Sequence, residues 1–325
     1  MAASAKAKVA VSGLRAYYFT DSGIVKAVDN IDFYLREGES FSIVGESACG
    51  KSSLGNALMR SIQPPGKVVG GSIILRDIDL LKMSLSEFDK KIRWKEIAMI
   101  FQGAMNTLDP VYTIGTQLKE ILIEHHFDGN IENKISESLR EVGLDDSTAN
   151  RYPHELSGGM KQRVVIAMAL LLEPDILIAD EPTTALDVLI QSQIIHLLKK
   201  LRTEKGITII LITHDLALVG EIADKIGIMY AGQLVEIGLA DEIYRKPKHP
   251  YTQALIAAIP RLISKEKKIS YVKGRPPSLL DPAPGCRFYS RCPYAMDICK
   301  RDPPEFPTET GYVRCWLYEN ERSQR

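Results

Sequence analysis

Gly45-Glu46-Ser47-Ala48-Cys49-Gly50-Lys51-Ser52 fits G-x-x-x-x-G-K-[ST], a spacing suited to cradling a polyphosphate. The glycines let the backbone curl until successive N–H groups point inward, and the helix that follows adds its positive end. In such a loop Lys51 would reach the β- and γ-phosphates and the Ser52 hydroxyl would hold Mg2+. Downstream, Asp180 and Glu181 close the apolar run Ile176-Leu177-Ile178-Ala179. There the first carboxylate would complete the Mg2+ shell and the second would orient or deprotonate the hydrolytic water. His214 follows another apolar run, Ile207 to Thr213, and at the C-terminal edge of a parallel sheet it is a candidate contact to the γ-phosphate. Gln102 follows Ile97 to Phe101 and has two readings, a contact to a metal-bound phosphate or attacking water, or an ordinary polar loop residue. Ser157, with Gly158 and Gly159 behind it, heads a helix running to Leu172. It reads either as a second anion-binding helix end or as a simple cap.

These residues need strands to deliver them and helices to follow them. Residues 8 to 44 alternate short apolar runs with turn signals and read as an antiparallel β region feeding the loop. Tyr17 and Tyr18 lie in that region, either to stack on an adenine ring or to fill a core as strand aromatics. Gln63-Pro64-Pro65-Gly66 is a turn, and Gly70 to Leu75 restarts a strand. From Thr113 to Arg151 the period becomes helical, with Ile114, Leu118, Ile121 and Leu122, then Ile131, Ile135, Leu139 and Val142. That gives a helical subdomain inserted at about residues 103–172. A further helix is expected from Thr184 to Lys200, another over residues 217–224, and a closing hairpin around Ala231-Gly232. The fold class is α/β.

With 325 residues, a main domain plus an appendage is expected, with a boundary near residue 245 where proline and cysteine become frequent. There are 41 basic and 41 acidic residues, so no global field draws in nucleic acid. The longest apolar run, Val164 to Leu172, is far shorter than a bilayer helix, and MAASAKAKVA lacks a secretory apolar core. The chain reads as soluble and intracellular, meeting a membrane only as a peripheral partner.

Taken jointly, residues 8 to 245 resemble the nucleotide-binding subunit of ABC transporters. The resemblance makes Gly45 to Ser52 the Walker A loop, Gln102 the Q-loop, Leu156 to Met160 the signature, Ile176 to Asp180 Walker B, Ala185-Leu186-Asp187 the D-loop and His214 the switch histidine. It implies that ATP is held by Gly45, Ser47, Cys49, Gly50, Lys51, Ser52 and Ser53, with Tyr18 on the adenine and Tyr17 as its fallback. It implies Mg2+ on Ser52, Gln102 and Asp180, and a catalytic role for Glu181, His214 and Gln102. Two such domains pack head to tail in the family, so Ser157, Gly158, Gly159 and Asp187 would serve the nucleotide across a dimer seam. Ala48 departs from the family's usual glycine. A helix-compatible φ is expected there, and Cys49 is read either as a reactive thiol or as steric filling.

The tail resembles the C-terminal extension of dipeptide and oligopeptide importer ATPases, on His249-Pro250-Tyr251-Thr252-Gln253-Ala254-Leu255 and the segments around Cys286 and Cys292. Cys286, Cys292, Cys299 and Cys315 fall as C-x5-C-x6-C-x15-C. Spacing slightly favours zinc, the resemblance favours a 4Fe-4S cluster, and free or oxidised thiols are the remaining reading. The extension would be residues 246–325. The function implied is ATP hydrolysis powering import of dipeptides or oligopeptides, with oligosaccharide or nickel import as the alternative within the class. The implied partners are a second ATPase, as a heterodimer, two transmembrane permease subunits and an extracytoplasmic solute-binding protein, at the cytoplasmic face of the membrane. A soluble ABC ATPase on nucleic acid fits less well, because neither a long coiled coil nor a second cassette is present.

Overall fold

The computed structural model describes residues 7–259 and 274–319. Residues 1–6, 260–273 and 320–325 of the expected domains lie outside the described residues. The first strand, β1 (Val9–Thr20), buries Val9 and Val11, then Leu14 and Ala16. Gly13 at φ 55° shifts the alternation by one residue between the two pairs. β2 (Gly23–Leu35) follows, then β3 (Ser40–Val44), whose five residues are all buried. α1 (Lys51–Leu58) leaves the phosphate loop directly, and β4 (Gly66–Leu75) and the short β5 (Ile78–Asp79) come next. α2 (Leu85–Lys91) opens with a full capping box between Ser84 and Glu87.

Then come β6 (Ile97–Ile100), α3 (Ile114–Glu124), α4 (Ile131–Glu141) and α5 (Gly158–Leu170). The expected 103–172 region thus supplies three helices. β7 (Ile176–Asp180) precedes α6 (Val188–Lys205). The helix expected from Thr184 starts at Val188 instead, because Ala185 stands at φ 64° and Asp187 is the N-cap; Gly206 at φ 70° ends it. β8 (Thr208–Thr213), α7 (Leu216–Ile222), β9 (Lys225–Tyr230), β10 (Gln233–Leu239), α8 (Ala240–Arg245) and α9 (Pro250–Ala257) follow. Two short strands, β11 (Phe306–Pro307) and β12 (Tyr312–Val313), close the order.

The chain divides into two compact units. In the first, from residue 75 to 212 with residues 35–40, β6, β7 and β8 run parallel, Ile100 opposite Ala179 and Asp180 opposite Ile212. Such strands are covered on both faces, so they read as unbroken apolar runs and not as alternation. α3, α4 and α5 pack on one another, and Leu118, Leu122, Ile135, Leu139 and Val164 are buried. In the second unit, residues 9–34, 41–74 and from 213 onward, β1 lies between β2 and β4. There β3 is parallel to β9, and β9 returns antiparallel as β10. Ala231 (φ 47°) and Gly232 (φ 85°) make the two-residue hairpin turn between them. β10 extends that sheet through β12 to β11, so the tail is stitched onto the hairpin.

Candidate active site

In the second unit, β3 ends at Gly45, where a side chain would meet the Met229 carbonyl at 2.1 Å. Gly50 caps α1 at φ 106°, and a Cβ there would lie 1.9 Å from the Ala27 carbonyl. Both glycines are therefore fixed by backbone crowding. Lys51, buried at the start of α1, donates from Nζ to the carbonyls of Gly45 and Glu46, each at 2.9 Å. This closes the loop into a ring around its own lysine. Ser52 and Ser53 occupy the first turn, where backbone N–H groups have no helical acceptor. Ser47 is exposed on the loop.

Ala48 is at φ 62°, which overturns the expected helix-compatible value: the loop demands a left-handed residue there, and this chain supplies one with a Cβ. Cys49 is 3% exposed, and burial pushes its thiol up despite the neighbouring lysine. Burial favours its steric role over reactivity. Tyr18 Oη lies 3.2 Å from Ser53 Oγ, at the loop helix. Tyr17 instead donates to Asp29 at 2.5 Å, and burial with that carboxylate pushes it up to about 12. Of the two tyrosines, the structure brings Tyr18 to the loop. His214 is exposed just after β8, and the adjoining Asp215 caps α7 by accepting from Ala217 N–H at 2.8 Å.

In the first unit, β6 and β7 end side by side, which carries Gln102 to Glu181. Gln102 Nε2 donates to Glu181 Oε2 at 3.0 Å, and Thr184 Oγ1 donates to the same oxygen at 2.9 Å. Glu181 N–H donates to the Ile212 carbonyl at 2.8 Å, so its backbone is tied to β8. The residue stands at φ 47°, a conformation that costs energy for a residue with a Cβ and turns the chain sharply out of the strand. Asp180, 2% exposed, ends β7. Ser157 Oγ accepts from Met160 N–H at 3.3 Å and caps α5, and Asp187 Oδ1 accepts from Ile190 N–H at 3.0 Å and caps α6. Gly158 and Gly159 let α5 approach α6: a Cβ on Gly159 would stand 2.9 Å from Ile190. The hydroxyl, amide and carboxylate of Ser52, Gln102 and Asp180 are hard oxygen donors of the kind Mg2+ prefers.

The four tail cysteines are free thiols, and the Cys286 N–H donates to the Cys299 carbonyl at 2.8 Å. Burial first, then the neighbouring thiols, pushes Cys286 up to about 11 and Cys315 up to about 12. Among the described residues no group of three or more His, Cys, Asp or Glu side chains is arranged to hold a metal ion. Sequence reasoning missed Thr184, and it missed the partners of Glu46 from the tail, Arg291 and Tyr251. Tyr251 lies in the quoted His249 to Leu255 segment, and Arg291 adjoins Cys292, so both were in view without a role.

Comparison with known proteins identifies the family. The family model described as ABC transporter matches residues 28–184, and the one for the oligopeptide/dipeptide transporter C-terminal region matches residues 235–299. A dipeptide transport ATP-binding protein DppD of Caldanaerobacter subterraneus subsp. tengcongensis is 44% identical over 320 residues, covering 97% of this chain and 98% of the relative. The oligopeptide transport ATP-binding protein OppD of Bacillus subtilis is 44% identical over 94% of this chain and 88% of its own length. Among solved structures, the dimeric MJ0796 cassette, described as a bacterial ABC transporter cassette, has a TM-score of 0.63 and 30% identity, covering 71% of this chain and 98% of its own. With a phosphate loop at the end of one buried strand, a carboxylate pair at the end of another, and relatives of this identity over nearly the whole length, the chain belongs to the ATP-binding subunits of the dipeptide/oligopeptide ABC transporter family.

Proposed function

We propose that the chain hydrolyses ATP to drive peptide import. The observation that carries this reading is Glu181, held by Gln102 and Thr184 directly after a buried strand. In this role Glu181 takes the proton of the attacking water, and Gln102, whose amide nitrogen donates to Glu181, keeps its amide oxygen as the ligand atom. Lys51 and the amides at the start of α1 bind the β- and γ-phosphates, Ser53 and Tyr18 border the nucleotide, and His214 contacts the γ-phosphate. Mg2+, held by Ser52, Gln102 and Asp180, would offset charge on the β- and γ-phosphate oxygens.

Ser157, Gly158, Gly159 and Asp187 act on the nucleotide of a second, related ATPase chain packed head to tail. The pair works at the cytoplasmic face beneath two permease subunits, fed by an extracytoplasmic solute-binding protein. No helix among the described residues is long and apolar enough to cross a membrane, in keeping with a peripheral subunit. Cys286, Cys292, Cys299 and Cys315 are the residues that would hold a 4Fe-4S cluster, because four thiolates are the ligand set such a cluster uses; ligation would have to draw together side chains that the described residues do not group around a metal. The cluster would serve as a structural cross-link for a tail with little core.

The function is tested by co-expressing the chain with its permeases and reconstituting the complex in vesicles. Peptide-loaded binding protein should stimulate ATP turnover, and stimulation by an oligosaccharide or Ni2+ instead would reassign the cargo.

A further inference from the structure

Glu46 puts a carboxylate inside the phosphate loop, where a polyphosphate would meet like charge. Both of its oxygens are engaged by one side chain of the tail. Arg291 Nη1 donates to Oε2 at 2.6 Å and Nη2 to Oε1 at 2.9 Å, a two-pronged pair. The arginine side chain is 3% exposed and the glutamate 23%, so solvent screens the pair weakly. Arg291 is braced by the Tyr230 hydroxyl at 3.2 Å and lies over the Tyr230 and Phe288 rings. Tyr251, whose ring is 4.5 Å from Tyr230, accepts from the Glu46 N–H at 3.0 Å. Glu46 is thus held at its carboxylate and its amide by residues beyond 245, while its carbonyl accepts from Lys51.

Arg287 makes a second attachment, to Asp29 and to the Ala231 carbonyl in the hairpin turn. The next residue in that turn, Gly232, donates to the Cys49 carbonyl at 2.7 Å. Each arginine adjoins a cysteine, Cys286-Arg287 and Arg291-Cys292, so the segment that carries the thiols also carries the grip on Glu46 and the attachment to Asp29 and the hairpin turn.

We infer that Arg291 is a positioning residue of the phosphate loop: it neutralises and immobilises Glu46, and through it the cysteine-bearing tail sets the affinity for ATP. The inference rests on Gly45 to Ser52 being the ATP phosphate loop.

The test is equilibrium binding of a fluorescent ATP analogue with Mg2+ to the full chain. Arg291→Ala should weaken binding about tenfold, or ~1.4 kcal/mol, and the deficit should shrink as salt rises, because an exposed carboxylate is being screened. Adding Glu46→Gln to Arg291→Ala should recover most of the loss, since the repelling charge is gone. A merely structural arginine would give no such recovery. Arg291→Gln, shorter but polar and neutral, carries the same test where the alanine variant does not fold. Wild-type affinity in a folded Arg291→Ala or Arg291→Gln chain, or a double variant as weak as the single, overturns the inference. Lys51→Ala separates the two readings: it should abolish binding, and retained binding would instead refute the assignment of the loop.

Discussion

Ala48 and Glu181 both carry a Cβ into the left-handed region, at φ 62° and 47°. The residue types at the site declare its chemistry, because a lysine after a glycine and a carboxylate pair after an apolar run have few other uses. The sign of φ is not declared by residue type. At Ala48 the sequence argued for an unstrained alanine, and the loop's closure around Lys51 imposes the opposite. Ala48→Gly should accordingly raise the stability of the nucleotide-free chain by about 1 kcal/mol, read as an increase in the thermal midpoint. A lower midpoint would mean that the position is unstrained. Glu181 cannot be relieved in the same way, because its strained turn aims the carboxylate between Gln102 and Thr184.

At the scale of elements, the parallel strands were legible as continuous apolar runs, and their C-terminal ends carry the predicted residues. Helix starts were less so: Asp187 caps α6 three residues beyond the expected start, because the preceding turn uses a positive-φ alanine that propensity does not anticipate. α9 shows how a cap can also titrate. His249 Nδ1 accepts from Tyr251 N–H at 3.1 Å, and burial alone holds the imidazole down to about 3. The folded state thus keeps His249 neutral while the unfolded chain protonates it near pH 6.5, so this contribution to stability is lost as pH falls from about 6.5 to about 3. Glu236, which accepts from the His249 N–H and is pushed up by burial, works in the opposite direction. His249→Asn keeps a capping acceptor and removes only the imidazole. Between pH 7 and pH 5 the wild-type chain should lose about 2 kcal/mol relative to this variant, measured by urea unfolding. Parallel pH profiles would show that the histidine does not titrate as described.

Over the whole molecule, the least legible feature is the attachment of the tail to the phosphate loop. Glu46 and Arg291 are 245 residues apart, and neither pattern nor period links positions so distant. The four cysteines were visible as a set, yet their neighbours Arg287 and Arg291 carry the contacts to Asp29, the hairpin turn and Glu46. Replacing Cys286 and Cys299 with serine should remove bound iron and sulfide from an anaerobic preparation and lower the thermal midpoint of the full chain. Unchanged midpoint together with unchanged metal content would take the cysteines out of that role.

Hydrolysis through Glu181 is tested most directly by ATP turnover and ATP binding measured together on the assembled transporter carrying Glu181→Gln. Turnover should fall at least about 100-fold while ATP remains bound at wild-type affinity. Turnover at the wild-type rate would take Glu181 out of the hydrolytic role.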